Sequence, residues 1–202
     1  VRKGGFLPNV DQFDASFFGI NPTEAMAMDP QQRLLLETTW EALEVAGESP
    51  DSIYGSQLGV FVGVSYADYS EIVASSPDKA VTAVYSATGT SLNVVAGRIA
   101  YFLGAQGPAM SIDTACSSSM VALDAACREL REGACDRALA AGVNLTLTPE
   151  HHIQLSRMRA LSRDGHCKTF DASADGYVPS DGFGVLVLKR LSDAQANGDK
   201  IW

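Results

Sequence analysis

Four stretches of the chain are apolar over a strand's length, and between them the apolar positions fall at helical spacing. Residues 58–64 form a near-continuous apolar run bounded by Gly55 and Ser65, the pattern of a strand buried on both faces of a mainly parallel sheet. Residues 109–113, opened by Gly107 and Pro108, predict a second strand; residues 137–146 and 183–188 predict two more. Asp29 and Pro30 read as the N-cap and first-turn proline of a helix in which Leu36, Trp40 and Leu43 recur until Gly47 closes it. Its other face carries Arg33, Glu37, Glu41 and Glu44, as a core-facing helix with a solvated side would. Further helices are predicted over 91–103, closed by Gly104, and from Ser117 to near Gly133. Two more follow Pro149 and span 192–197. The opening stretch through Phe6, Phe13, Phe17 and Phe18 reads as loop, and residues 162–180 as a polar loop. Strands alternating with helices imply a layered α/β fold with helices on both faces of the sheet, although local pattern does not fix strand order.

At 202 residues, 46% hydrophobic, the chain is long enough for one sizeable α/β core and short for two. A net charge of -9 argues against nucleic acid or an anionic membrane surface as the main partner, since both demand a basic patch. No apolar run approaches a bilayer-spanning length, and Val1-Arg2-Lys3-Gly4-Gly5 is not a secretory signal. A start without methionine points to a chain cut from something larger. The four cysteines, Cys116, Cys127, Cys135 and Cys167, show no C-x-x-C spacing, and only three histidines accompany them. That makes a structural zinc site improbable and fits reduced thiols in a cytosolic protein.

Cys116 carries the sharpest chemical signal. The predicted strand at 109–113 runs through Thr114 and Ala115 straight into a helix, so the chain turns sharply at the cysteine. Such a turn aims a side chain and its own N–H at one point. Helix N-termini gather partial positive charge and unpaired N–H groups, which suit an anionic sulfur and a developing oxyanion. A buried, inert cysteine fits the spacing as well, and the small neighbours Ala115, Ser117, Ser118 and Ser119 serve either a closely approaching thioester or ordinary capping.

The run Asp113-Thr114-Ala115-Cys116-Ser117-Ser118-Ser119 resembles the active-site segment of β-ketoacyl synthases, in particular the ketosynthase domains of modular (type I) polyketide synthases. Collinear motifs extend the resemblance over nearly the whole chain. They include Arg2-Lys3-Gly4-Gly5-Phe6-Leu7, Phe17-Phe18-Gly19-Ile20, Met28-Asp29-Pro30-Gln31-Gln32-Arg33 and Ala96-Gly97-Arg98-Ile99-Ala100. Further along stand Asp164-Gly165, Cys167-Lys168-Thr169-Phe170-Asp171 and Asp175-Gly176-Tyr177-Val178.

The resemblance implies a thiolase-like fold, a layered mixed sheet between helices. Residues 1–202 would be the N-terminal part of a β-ketoacyl synthase, the first of two similar halves, with the C-terminal half absent. It implies that Cys116 takes an acyl group as a thioester, with its own backbone N–H as an oxyanion-hole donor, before decarboxylative condensation with a malonyl thioester. The substrates would ride on the phosphopantetheine arm of an acyl carrier protein, with no cofactor bound. The other expected partners are a second copy in a homodimer and neighbouring polyketide synthase domains, in the cytoplasm, without nucleic acid or membrane. The family's two catalytic histidines belong to motifs that His151, His152 and His166 do not match, so this chain alone is expected not to condense. Tyr177 matches a position bordering the acyl pocket, although a core aromatic fits it equally. Ser86, Ala87, Thr88, Gly89 and Thr90 match a dimer-interface stretch that reaches the partner's acyl tunnel. Lys168 and Asp171 are expected to pair within the polar loop. Pro179-Ser180-Asp181-Gly182, Arg163 and Asp124 depart from the modular pattern. The alternatives are a single-function fatty-acid synthase and a non-catalytic ketosynthase-like partner, the latter disfavoured by the presence of Cys116.

Overall fold

The apolar run at the centre of the sequence forms the centre of the sheet. In the computed structural model, which describes residues 1–77 and 79–202 (the backbone alone at 79–82), strand β1 (Leu58–Gly63) is buried at every position. It lies parallel to both β2 (Ala109–Ile112) and β3 (Arg137–Asn144), and β3 pairs antiparallel with β4 (Gly182–Lys189). The order is β2-β1-β3-β4, a mixed sheet with its parallel strands joined through helices.

The helices are α1 (Pro22–Ala27), α2 (Pro30–Ala46), α3 (Pro50–Ile53), α4 (Asp68–Ser75), α5 (Lys79–Thr90), α6 (Val95–Leu103), α7 (Ser118–Glu132), α8 (Pro149–Arg157) and α9 (Leu191–Asn197). Strand alternation divides their packing between the two faces of the sheet. On one face Val60, Val62, Leu139, Ala141 and Val143 meet Leu35, Leu36 and Leu43 of α2 and Val95, Ile99 and Leu103 of α6. On the other, Phe61, Ala138 and Ala140 meet Ala122, Ala126 and Leu130 of α7. The small residues of α7 bring it close to the strands. A Cβ on Gly63 would strike the backbone of Ser118 and Ser119, and one on Gly142 would stand 2.8 Å from Ser119 Cβ.

Chain-terminating signals act as the pattern predicts. Asp29 accepts the Gln31 N–H at 2.8 Å as N-cap of α2, and Gly47, Gly104 and Gly133 close α2, α6 and α7 in the left-handed conformation. Three features differ from expectation. The 91–103 segment opens with a 3-10 turn, Leu92–Val94, before α6. Helices α1, α3, α4 and α5 form where no helix was predicted. Arg33 is not on a solvated face: it is 8% exposed. Its guanidinium donates to the carbonyls of Met28 and Asp11 and to the Tyr69 hydroxyl, because the N-terminal loops and α4 fold over that side of α2. Among the described residues no helix is long and apolar enough to cross a membrane.

Candidate active site at the Cys116 turn

Strand β2 ends at Ile112, a 3-10 turn spans Ala115–Ser117, and α7 begins one residue later. Cys116 therefore sits on the turn joining strand to helix, and it is exposed. The turn is tight because Ala115 adopts φ +56°. Its N–H donates to Asp113 Oδ1 at 2.9 Å, and its carbonyl accepts from Ser118 Oγ at 2.7 Å. Thr114 N–H donates to the same Ser118 oxygen at 2.9 Å, and Ser117 N–H approaches the Thr114 carbonyl at 3.4 Å. Among the described residues, the Cys116 N–H donates to no protein acceptor. An exposed sulfur and an unoccupied N–H thus share one residue at the head of a 15-residue helix.

Two tyrosines stand by the sulfur. Burial, and after it the proximity of Cys116, pushes the Tyr177 phenol above its ordinary value. Tyr66 is raised by burial first and then by Tyr177, Cys116, Asp68 and Asp113 around it. The Tyr66 ring packs on His151 with centroids 4.2 Å apart. Its carbonyl accepts from Gln31 Nε2 at 2.8 Å, and Gln31 Oε1 accepts the Leu145 N–H at 3.3 Å. One buried glutamine at the start of α2 thus fixes two loops bordering the site. Asp68 Oδ2 adds contacts to Leu147 N–H and to both the N–H and hydroxyl of Thr148.

Tyr177 lies near enough to Cys116 to feel its charge, whereas the 86–90 stretch is joined to α1 and the start of α2, where Gln32 Nε2 donates to the Thr88 and Gly89 carbonyls and Asp29 N–H to the Gly89 carbonyl. The hydroxyls of Ser86, Thr88 and Thr90 bond to carbonyls of α5 itself, and Gly89 presses on the Ala27 carbonyl. Ala87 is exposed. His152 Nε2 lies 3.2 Å from the Val1 carbonyl, and His166 is exposed. Cys135 is buried, and that burial, ahead of its charged neighbours, raises its thiol pKa. Cys127 is half-buried, whereas Cys167 is exposed and accepts the Val178 N–H at 3.2 Å. The expected Lys168–Asp171 pair does not form. Lys168 bridges Asp164 at 3.0 Å and Asp175 at 2.6 Å instead, while Asp171 turns to the N–H and hydroxyl of Ser173. Within the unusual 179–182 segment, Asp181 accepts from Leu7 N–H and Thr146 N–H, tying the N-terminal segment to the end of β3. Tyr66, Gln31 and Ser65 escaped sequence reading because their links to the site join residues tens of positions apart.

The family described as beta-ketoacyl synthase, N-terminal domain, matches residues 1–194. The chain belongs to the β-ketoacyl synthase family. It is 52% identical over its whole length to a phenolphthiocerol/phthiocerol polyketide synthase of Mycobacterium tuberculosis, covering 13% of that protein. It is also 52% identical to polyketide synthase GfsE of Streptomyces halstedii, covering 5%. The ketosynthase from module 6 of the bacillaene synthase of Bacillus subtilis superposes with a TM-score of 0.88 at 41% identity, over 97% of this chain and 32% of that one. The oxazolomycin ketosynthase domain OzmH KS7 of Streptomyces albus gives 0.89 at 42%, over 98% and 35%. The mixed sheet flanked by helices is the thiolase-like N-terminal half of these ketosynthases, and the chain spans a small part of its curated relatives.

Proposed function

We propose that this segment supplies the acyl-accepting half of a polyketide synthase ketosynthase. Cys116 Sγ attacks the carbonyl of an acyl thioester carried on the phosphopantetheine arm of an acyl carrier protein. The tetrahedral oxyanion collapses, the carrier thiol leaves, and the acyl group remains on Cys116. Loss of carbon dioxide from a malonyl thioester then leaves a carbanion equivalent that attacks the Cys116 thioester carbonyl. A carbon–carbon bond forms, the carbon–sulfur bond breaks, and the Cys116 thiolate is released. Both half-reactions build negative charge on a carbonyl oxygen, so the Cys116 N–H serves twice.

The observation that carries this reading is the exposed cysteine on a strand-to-helix turn with its own N–H unoccupied. Tyr66 and Tyr177, both close enough to Cys116 to feel its charge, are the rings that would border the acyl chain. The electrophilic histidines for decarboxylation would come from outside residues 1–202, since His151, His152 and His166 do not match the family's histidine motifs. Residues 86–90 would act at the interface of a homodimer, with an acyl carrier protein and other synthase domains as partners in the cytoplasm.

The test is mass spectrometry of the full-length encoded polypeptide after incubation with an acyl thioester. The acyl mass is expected on the peptide carrying Cys116 and on none carrying Cys127, Cys135 or Cys167. Replacing Cys116 with alanine should abolish it, and acylation at another cysteine would refute the assignment.

A further inference from the structure

The Cys116 turn keeps a conformation that its own residues do not favour. Ala115 sits in the left-handed region, where a Cβ crowds the following carbonyl, so something outside the turn must hold it. Both peptide groups of Ala115 are gripped, the N–H by Asp113 Oδ1 and the carbonyl by Ser118 Oγ. Asp113 is in turn held from another strand: Ser65, two residues past the end of β1, donates to the same Oδ1 at 2.7 Å. Ser65 Oγ also lies 3.1 Å from Ser118 Oγ. With the Ser65 hydrogen directed to Asp113 and the Ser118 hydrogen to Ala115, the two oxygens meet as packed neighbours. Ser118 is 5% exposed, so the clamp is buried on its Ser118 side, while Asp113 and Ala115 face solvent. The bond from Ser65 pulls the Asp113 carboxyl below its ordinary range, ahead of the bond from Ala115 N–H, which marks it as a contact to the ionised form.

We propose that Ser65 is a positioning residue for acyl transfer at Cys116: through Asp113 it holds Ala115 in the turn that aims the Cys116 sulfur and N–H at one point. The proposal rests on the reading of Cys116 as acyl acceptor. Its consequence is specific to chemistry that needs both groups at once. Acylation passes through an oxyanion beside the Cys116 N–H, whereas alkylation by iodoacetamide needs only a reachable sulfur. Loosening the clamp should therefore separate the two reactions.

In the full-length encoded polypeptide, Ser65→Ala is expected to lower the kcat of Cys116 acylation by about tenfold or more, with KM within about twofold. Iodoacetamide labelling of Cys116 should stay within about twofold of the parent rate, because the cysteine is already exposed. Ser65→Thr, which keeps the hydroxyl, should restore most of the acylation rate. Ser118→Ala, which breaks the other grip on Ala115, should show the same split and serves if Ser65→Ala does not fold. Parent-like acylation in Ser65→Ala overturns the proposal, as does an equal fall in acylation and alkylation, or a Ser65→Thr rate no better than that of Ser65→Ala. A parent protein that acylates at some residue other than Cys116 overturns the underlying reading instead.

Discussion

Lys168 shows how one side chain can order a stretch that has no secondary structure of its own. Its ammonium bridges Asp164 and Asp175, eleven positions apart, and so cinches the base of the polar loop that delivers Tyr177 to the Cys116 turn. Bonds from Lys168 and then Ser162 pull the Asp164 carboxyl down to about 2, and Lys168 likewise lowers Asp175. Carboxylates depressed in the folded protein stabilise it fully above their unfolded value near 3.8, and that contribution disappears as pH falls toward about 2. Carbon-detected NMR titration should therefore find the Asp164 midpoint near 2 and see it rise toward the ordinary range in Lys168→Met. An unchanged midpoint would show that the ion pair does not hold this carboxylate. The sequence displayed three aspartates near Lys168, and chain proximity favoured Asp171; the turn bonds to Ser173 removed that candidate, which no periodicity records. His166, exposed in the polar loop, is the complementary case, a residue proposed to have no catalytic task. His166→Ala should leave acylation of Cys116 within about twofold of the parent, and a larger loss would make it part of the machinery.

Elements were readable where a local signal marks both ends. Asp29-Pro30 and Gly47 bound α2, and Gly104 and Gly133 close α6 and α7, because N-cap carboxylates and left-handed glycines act within a single turn. Helices α1 and α3 do carry start marks, the N-caps Asn21 and Ser49 each followed by proline, but they are too short to show a periodic apolar face; α4 and α5 lack such paired marks. Helix α4 follows Ala67, which has no capping side chain, and α5 ends in Thr-Gly-Thr, residues that are poor helix formers. Their stability comes from packing against each other and against α1, a tertiary effect invisible in a window of sequence. Glycines within the strands carry a different message, the seating of α7. Because a Cβ at Gly63 would collide with backbone rather than with a flexible side chain, Gly63→Ala must push the start of α7 outward. We expect a loss of about 1–3 kcal/mol in denaturant unfolding, accompanied by a fall in Cys116 acylation, since the displaced turn is the one that holds the proposed nucleophile. Unchanged stability and acylation in Gly63→Ala would mean that α7 is not seated by contact with β1.

At the scale of the whole molecule, the two apolar layers depend on the same strands. In β1, Val60 and Val62 face α2 and α6 while Phe61 faces α7; in β3, Leu139 and Ala141 face one way and Ala138 and Ala140 the other. Neither layer can lose its strands while the other keeps them, so the layers should unfold as one unit although their helices do not share a core cluster. That the sheet has helices on both faces was legible from alternating apolar strands and amphipathic helices; its order was not, because Phe61 pairs with Met110 and Ala140, 49 and 79 positions away. Each layer offers a local reporter for the test. Amide exchange of α2 reads one side, and pulsed alkylation of Cys135, fully buried beneath α7, reads the other. Both should show the same denaturant midpoint, and Leu36→Ala, on the α2 side alone, should lower both together by the equivalent of about 2–5 kcal/mol. Exposure of Cys135 at the parent midpoint in Leu36→Ala would instead establish two separable layers. The Cys116 turn, anchored to the sheet on one side and to α7 on the other, would then lose its shared support before the α7 layer itself unfolds.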